Sequence, residues 1–197
     1  MEVSYPSSDS VELFKKHLEG ISFLTPETWE GFATILQYEK ARKKEMLLNN
    51  RQIENHMRYI VSGVVKVIYH ADDNSFVYDF RGANHFLCDT VSFFARKPTF
   101  FSMEALTDCV WIDVPYTKMN QLLQEDLNGQ LIVARALNLH LEKRHEKENF
   151  LRSNSATERY EILCEMFPDI LQIASLGDIA SYLGITQQSL SRIRKSK

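Results

Sequence analysis

The side chains best equipped for chemistry cluster at the C-terminal end. Gln187, Gln188, Ser189, Ser191, Arg192 and Lys195 follow one another at helical spacing, with Leu190 and Ile193 between them. On a helix, the two apolar residues face inward and Gln187, Gln188, Ser191, Arg192 and Lys195 stay on the outer side. Such a face suits double-stranded DNA. Glutamine can form two hydrogen bonds to adenine and arginine two to guanine, while serine and lysine take phosphates. The helix N-terminus favours a phosphate as well. Charge is distributed to match. The last nine residues carry Arg192, Arg194, Lys195 and Lys197 and no acid, whereas the first 30 carry Glu2, Asp9, Glu12, Glu19, Glu27 and Glu30 against Lys15 and Lys16. The formal net charge is −3, so any nucleic-acid surface is local. A solvated basic tail is the competing reading of the charge alone.

The residues upstream position this face. Ile179, Ala180 and Leu183 form the apolar side of a short helix, and the small Ala180 lets another helix cross closely. Gly184 stands where a tight turn needs a positive φ. Ile185 plugs the corner and Thr186 caps the next helix. This is the spacing of a helix-turn-helix; a plain helical hairpin with a polar face is the alternative.

Further upstream, the pattern predicts a helix over 9–20, with Val11, Leu13, Phe14 and Leu18 on one face and Gly20 as its stop. A second begins at the cap Thr25 with Pro26 in first position, burying Trp29, Phe32, Ile35 and Leu36. After Tyr38 come short strand-like runs: Tyr59–Val61, Val64–Tyr69, Ser75–Phe80, Phe100–Met103 and Val110–Val114. The turns Ser62-Gly63 and Ala71-Asp72-Asp73-Asn74 punctuate them. This spacing indicates an antiparallel barrel or jelly roll. A short helix over Pro115–Gln124 and a long one over Asn128–Arg152 follow. The long helix carries Leu127, Leu131, Ala134, Leu137, Leu141 and Leu151, in a stripe interrupted at Asn138 and His145. It reads as a homodimer seam, or else as a helix packed on its own barrel. Ser155-Ala156-Thr157-Glu158 is a capping box that restarts a helix burying Tyr160, Leu163, Cys164 and Phe167, with Pro168 ending it. The fold class is therefore α+β.

The run Ile179-Ala180-Ser181-Tyr182-Leu183-Gly184-Ile185-Thr186, with Ser189-Leu190-Ser191-Arg192-Ile193-Arg194-Lys195, resembles the C-terminal motif of Crp/Fnr-type transcription regulators, in the short form found in Bacteroidetes. The resemblance implies a cyclic-nucleotide-binding-like sensory β-roll over 1–126, a dimerisation helix over 127–153 and a helix-turn-helix domain over 154–197. It assigns DNA reading to Gln187, Gln188 and Arg192, with Lys195 on a phosphate. It implies double-stranded DNA, a second copy of the chain, a small-molecule effector and RNA polymerase as partners. The sequence ends at Lys197 without the family's β-hairpin wing, and lower DNA affinity is the expectation.

The same resemblance defines a cassette that holds a cyclic nucleotide through an arginine for the phosphate and a carboxylate for the ribose. Over residues 86–102, Cys88 takes the place of its glycine, Asp89 of its glutamate, Thr99 of its arginine and Phe100 of its serine. A buried phosphate without its cation is strongly disfavoured, so cyclic AMP is not the expected effector. Arg96 and Lys97 are assigned to a solvated turn. Asp89, Thr90, Thr99 and Phe100, with Arg144 and His145 as lids, outline an effector pocket; alternatively Phe93, Phe94, Phe100 and Phe101 fill the roll as core.

Other chemistry is not expected. Cys88, Cys109 and Cys164 are scattered, without the spacing of a disulfide framework, zinc ribbon or iron–sulfur site, and no cofactor or metal is implied. His85, Cys88 and Asp89 are close in sequence but read as ordinary residues rather than ligands. His56, His70 and His85 are isolated, so a cupin enzyme lacks its ligands, and no hydrolase or phosphate-loop motif occurs. Neither a leader nor an apolar run of membrane length is present, which points to the cytoplasm. The competing function is a dimeric interaction or ligand-sensing module that has lost DNA binding.

Overall fold

Local signals fix the first elements of the computed structural model, which describes residues 8–72 and 74–195; Glu2, Asp73 and Lys197, used above, lie outside them. Helix α1 (Ser8–Ile21) buries Phe14 and Leu18, but Leu13 lies on its exposed side, and the helix runs one residue beyond Gly20. The Thr25 hydroxyl accepts from the Thr28 amide and starts α2 (Pro26–Ile35) at the expected proline.

The strands build two four-stranded antiparallel sheets. One has the order β1 (Gln37–Ala41), β8 (Cys109–Pro115), β3 (His56–Ser62), β6 (Phe86–Leu87); the other β2 (Met46–Leu48), β7 (Phe101–Ala105), β4 (Val65–His70), β5 (Ser75–Arg81). This is the jelly-roll-like architecture the turn spacing suggested. The Ser62-Gly63 turn carries the chain from one sheet to the other. Gly63 has φ +93°, and a Cβ there would lie 2.5 Å from the Asp108 carbonyl oxygen, so only glycine fits. Strands β1, β2 and β6 escape the sequence reading because each is short and carries polar or irregular burial.

A short helix, α3 (Thr90–Ala95), sits where the sequence reading had only a cassette and a turn. The Ser92 hydroxyl accepts from the buried Glu54 amide, and Glu54 forms an ion pair with Arg58 at 3.0 Å, both side chains almost fully buried. Arg96 is not solvated as expected. Its guanidinium stacks 3.8 Å from the Tyr116 ring centre and donates to the Glu54 carbonyl and to Asn55 Oδ1.

Helix α4 (Tyr116–Leu123) leads into α5 (Leu127–Ser153), whose 27 residues span about 40 Å. Only Gly129 and Ile132 of α5 are buried. Much of the predicted apolar stripe faces outward: Leu127 is 79% exposed, Leu131 46% and Leu141 52%. Both halves of the Ser155–Glu158 capping box form and open α6 (Ala156–Met166). A short α7 (Ile170–Ile173), not foreseen, precedes α8 (Leu176–Leu183) and α9 (Gln187–Lys195).

Candidate functional site

Two features carry the candidate chemistry, an exposed helix face and a cavity. The first is the exposed face of α9. Helix α8 presents Ile179, Ala180 and Leu183 to a core that also holds Leu163, Ile170 and Leu190. Gly184 ends α8 in the left-handed region, at φ 66°. The Ile185 amide then donates to the Ala180 carbonyl, and the Thr186 hydroxyl accepts from the Ser189 amide at the start of α9. With Leu190 anchored, Gln187, Gln188, Ser191, Arg192 and Lys195 are all exposed. Gln187, Ser191 and Lys195 form one i, i+4 row, and Gln188 and Arg192 the next. Ser189 is half-buried; its hydroxyl lies 3.0 Å from the Thr186 hydroxyl and accepts from Arg192 Nη2 at 3.3 Å. It therefore orients Arg192 from below. Arg194 points elsewhere, toward the Tyr160 hydroxyl of α6.

The second feature is a cavity of about 630 Å³ between the roll and helices α1, α2 and α5. Of the six predicted effector residues, Asp89, Thr90, Phe100 and Arg144 line it. Thr99 does not: it is buried behind Asp89 and donates its hydroxyl to Asp89 Oδ2 at 2.6 Å. Asp89 also caps α3 by accepting from the Val91 and Ser92 amides. His145 does not line the cavity either. One residue beyond Arg144 means a rotation of about 100° on a helix, and His145 is exposed. His140, one turn before Arg144 on the same face, occupies the wall instead. Its pKa is lowered, first by burial and then by the charges of Arg81 and Arg144. The i, i+4 spacing of His140 and Arg144 is the signal that would have found it. The aromatic residues do not close the space: Phe93 is buried, but Phe100 is 60% exposed at the rim.

Strand β5 joins the two features. It is an edge strand, and α8 covers that edge: the Val77 amide donates to the Ser181 hydroxyl at 2.9 Å. The Tyr182 ring packs 5.2 Å from that of Phe80, and Lys66 bridges Asp178 at 3.1 Å and Glu104 at 3.2 Å. From α5, Lys147 pairs with Asp79 at 3.3 Å, donates to the Tyr78 carbonyl, and lies over the rings of Tyr78 and Tyr182. Phe76, Tyr78, Asp79 and Arg81 of the same strand line the cavity. The sequence reading missed this contact between roll and C-terminal helices, because nothing local marks Val77 or Phe80 as an interface.

Residues 38–126 match the family model of the cyclic nucleotide-binding domain. That segment runs from β1 through α4 to the N-cap of α5. Among solved structures, the chain shares its fold with FixK2 from Bradyrhizobium japonicum, at TM-score 0.66 and 18% identity over 82% of this chain and 84% of that one. It is similar to the c-di-GMP-responsive global regulator CLP from Xanthomonas campestris, at TM-score 0.63 and 18% identity over 87% and 91% of the two chains. The catabolite activator protein of Thermus thermophilus matches at TM-score 0.54 and 14% identity, over 88% and 84%. No curated protein sequence matches. The fold is thus a cyclic-nucleotide-binding-type roll with flanking helices and a C-terminal helical region. No helix of the described residues is long and apolar enough to cross a membrane.

Proposed function

We propose that this chain is a homodimeric, DNA-binding transcription regulator of the Crp/Fnr type, with α8 and α9 as its helix-turn-helix and residues 154–197 as its DNA-binding domain. The observation that carries the reading is the uncovered face of α9, where Gln187, Gln188, Ser191, Arg192 and Lys195 project together and no acidic residue lies in the helix. Arg192 reads guanine, the glutamines read adenine, and Lys195 holds a phosphate. The outward Leu127, Leu131 and Leu141 of α5 support a dimer seam over 127–153. Two reading helices related by a two-fold axis would enter successive major grooves, about 34 Å apart, and so favour a palindromic operator. The regulator acts in the cytoplasm and not as an enzyme, and RNA polymerase is its downstream partner.

The roll senses something other than cyclic AMP. Its Asp89 is already engaged by Thr99 and the α3 amides, which leaves no free carboxylate for a ribose, and Thr99 stands where the resemblance calls for the phosphate arginine. Binding of duplex DNA, followed by fluorescence anisotropy against salt, tests the proposal. Affinity should fall steeply as salt rises, because bound phosphates release counterions. Binding that is absent, or indifferent to salt, would replace it with the interaction-module reading.

A further inference from the structure

The cavity itself indicates what it holds. At about 630 Å³ it falls within the roughly 300–1,000 Å³ of ordinary small-molecule sites. Its walls are chiefly apolar: Phe14, Phe32, Met57, Met119, Ile132 and Leu137 stand for the rest. The rim is apolar too, with Val91 62% exposed and Phe76 44%. A sugar and a base edge would leave their polar groups unpaired against such walls.

Charged groups also line the cavity. The cavity-lining set contains three cations, Arg81, Lys97 and Arg144, and two carboxylates, Asp79 and Asp89. Both carboxylates are spent. Asp79 is held by Arg81 at 2.8 Å and by Lys147 at 3.3 Å, and Asp89 by Thr99 and the α3 amides. Arg144 makes no hydrogen bond or ion pair with any described residue. Its face of α5 also bears His140, which makes no hydrogen bond or ion pair with any described residue. An anionic group at this end would neutralise the surplus cation, and an apolar body would fill the remainder.

We infer that the cavity binds a small carboxylic acid with an apolar body, its carboxylate on Arg144 and His140 and its body between the roll and α1, α2 and α5. The inference deepens the reading of the roll as a sensor and rests on it. Because β5 forms one wall and also carries α8, such a ligand would bear on the position of the reading helix through Phe76, Tyr78 and Arg81.

Calorimetry on the full-length protein without DNA tests this, using decanoate, decan-1-ol and cyclic AMP as probes. Decanoate should bind once per chain, at least tenfold tighter than decan-1-ol. Arg144→Gln, an exposed position that leaves the core intact, should bring decanoate down about tenfold, as loss of one charge-assisted contact predicts, and leave decan-1-ol unchanged. Ala136→Phe, which fills the cavity from α5, should remove both, with circular dichroism confirming the fold. Equal affinity for acid and alcohol, indifference to Arg144→Gln, displacement of decanoate by cyclic AMP, or no binding to the wild-type protein would each overturn the inference. DNA binding is measured separately. DNA binding without decanoate binding loses only the ligand class, whereas decanoate binding without DNA binding keeps the cavity and loses the regulator.

Discussion

Replacing Tyr182 by alanine should loosen the C-terminal helices from the roll while leaving both folded. The Tyr182 side chain is 8% exposed and rests on Phe80 of β5, with the Lys147 ammonium 5.0 Å from its ring centre. Truncating a buried aromatic to alanine costs about 3–5 kcal/mol. The lower end applies at a boundary between two packed units, which can close over the gap. About 3 kcal/mol corresponds to roughly a hundredfold change in the docked-to-undocked ratio. The Val77 amide is a direct reporter, because the Ser181 hydroxyl of α8 is its acceptor. Native-state hydrogen exchange at Val77 should accelerate by about that factor in Tyr182→Ala, while amides of the central β3–β8 ladder keep their protection. Phe80→Ala should act alike, and the double variant should cost less than the sum of the two. Unchanged exchange at Val77 would refute the role given to Tyr182. Equal acceleration in β8 would refute the separation of docking from global stability.

Three further outcomes are expected. Gly184→Ala should destabilise the C-terminal unit by about 1–2 kcal/mol through the left-handed backbone alone, since the added Cβ would meet only Arg159 Nη1, at 3.7 Å; a thermal melt with no shift would contradict this. Acidification should lower stability. His17 and His140 both have a pKa below their ordinary 6.5 in the fold, chiefly from burial. The unfolded chain therefore takes up protons first, and the stability present above 6.5 is lost as pH falls; the melting temperature should drop between about pH 7.5 and 5.5, less so in His140→Gln. Leu141→Glu, at an exposed position on α5, should convert a dimer to a monomer in sedimentation without changing the circular dichroism spectrum, and a dimer that persists would move the seam elsewhere.

How much could be read from the sequence depended on how local each signal was. The caps at Thr25 and Ser155 and the turn at Gly184 are set by neighbouring residues, and they lie where the sequence places them. The longer strands are runs of β-branched and aromatic residues bounded by turn residues, and these could be seen. Met46–Leu48 and Phe86–Leu87 are too short to alternate at all, and only pairing with β7 and β3 makes them strands. At the cavity, Asp89 and Arg144 were legible through the family likeness. His140 was overlooked, although it stands one turn before Arg144 on the same face of α5. Leu13 illustrates the converse: it fits a helical apolar stripe, yet it is 48% exposed. The contact between β5 and α8 joins residues about a hundred positions apart in sequence, and no periodicity reports such a pairing.

The central claim is that α9 reads DNA, and selection of bound duplexes from a random pool, run in parallel with wild-type protein and Arg192→Ala, tests it most directly. The wild-type protein should enrich a two-fold symmetric site containing a guanine at a fixed position in each half. Arg192→Ala should relax that position, at a cost of about 1–3 kcal/mol per bidentate contact. Failure of the wild-type protein to enrich any sequence at low salt, or an identical site from both proteins, would contradict it.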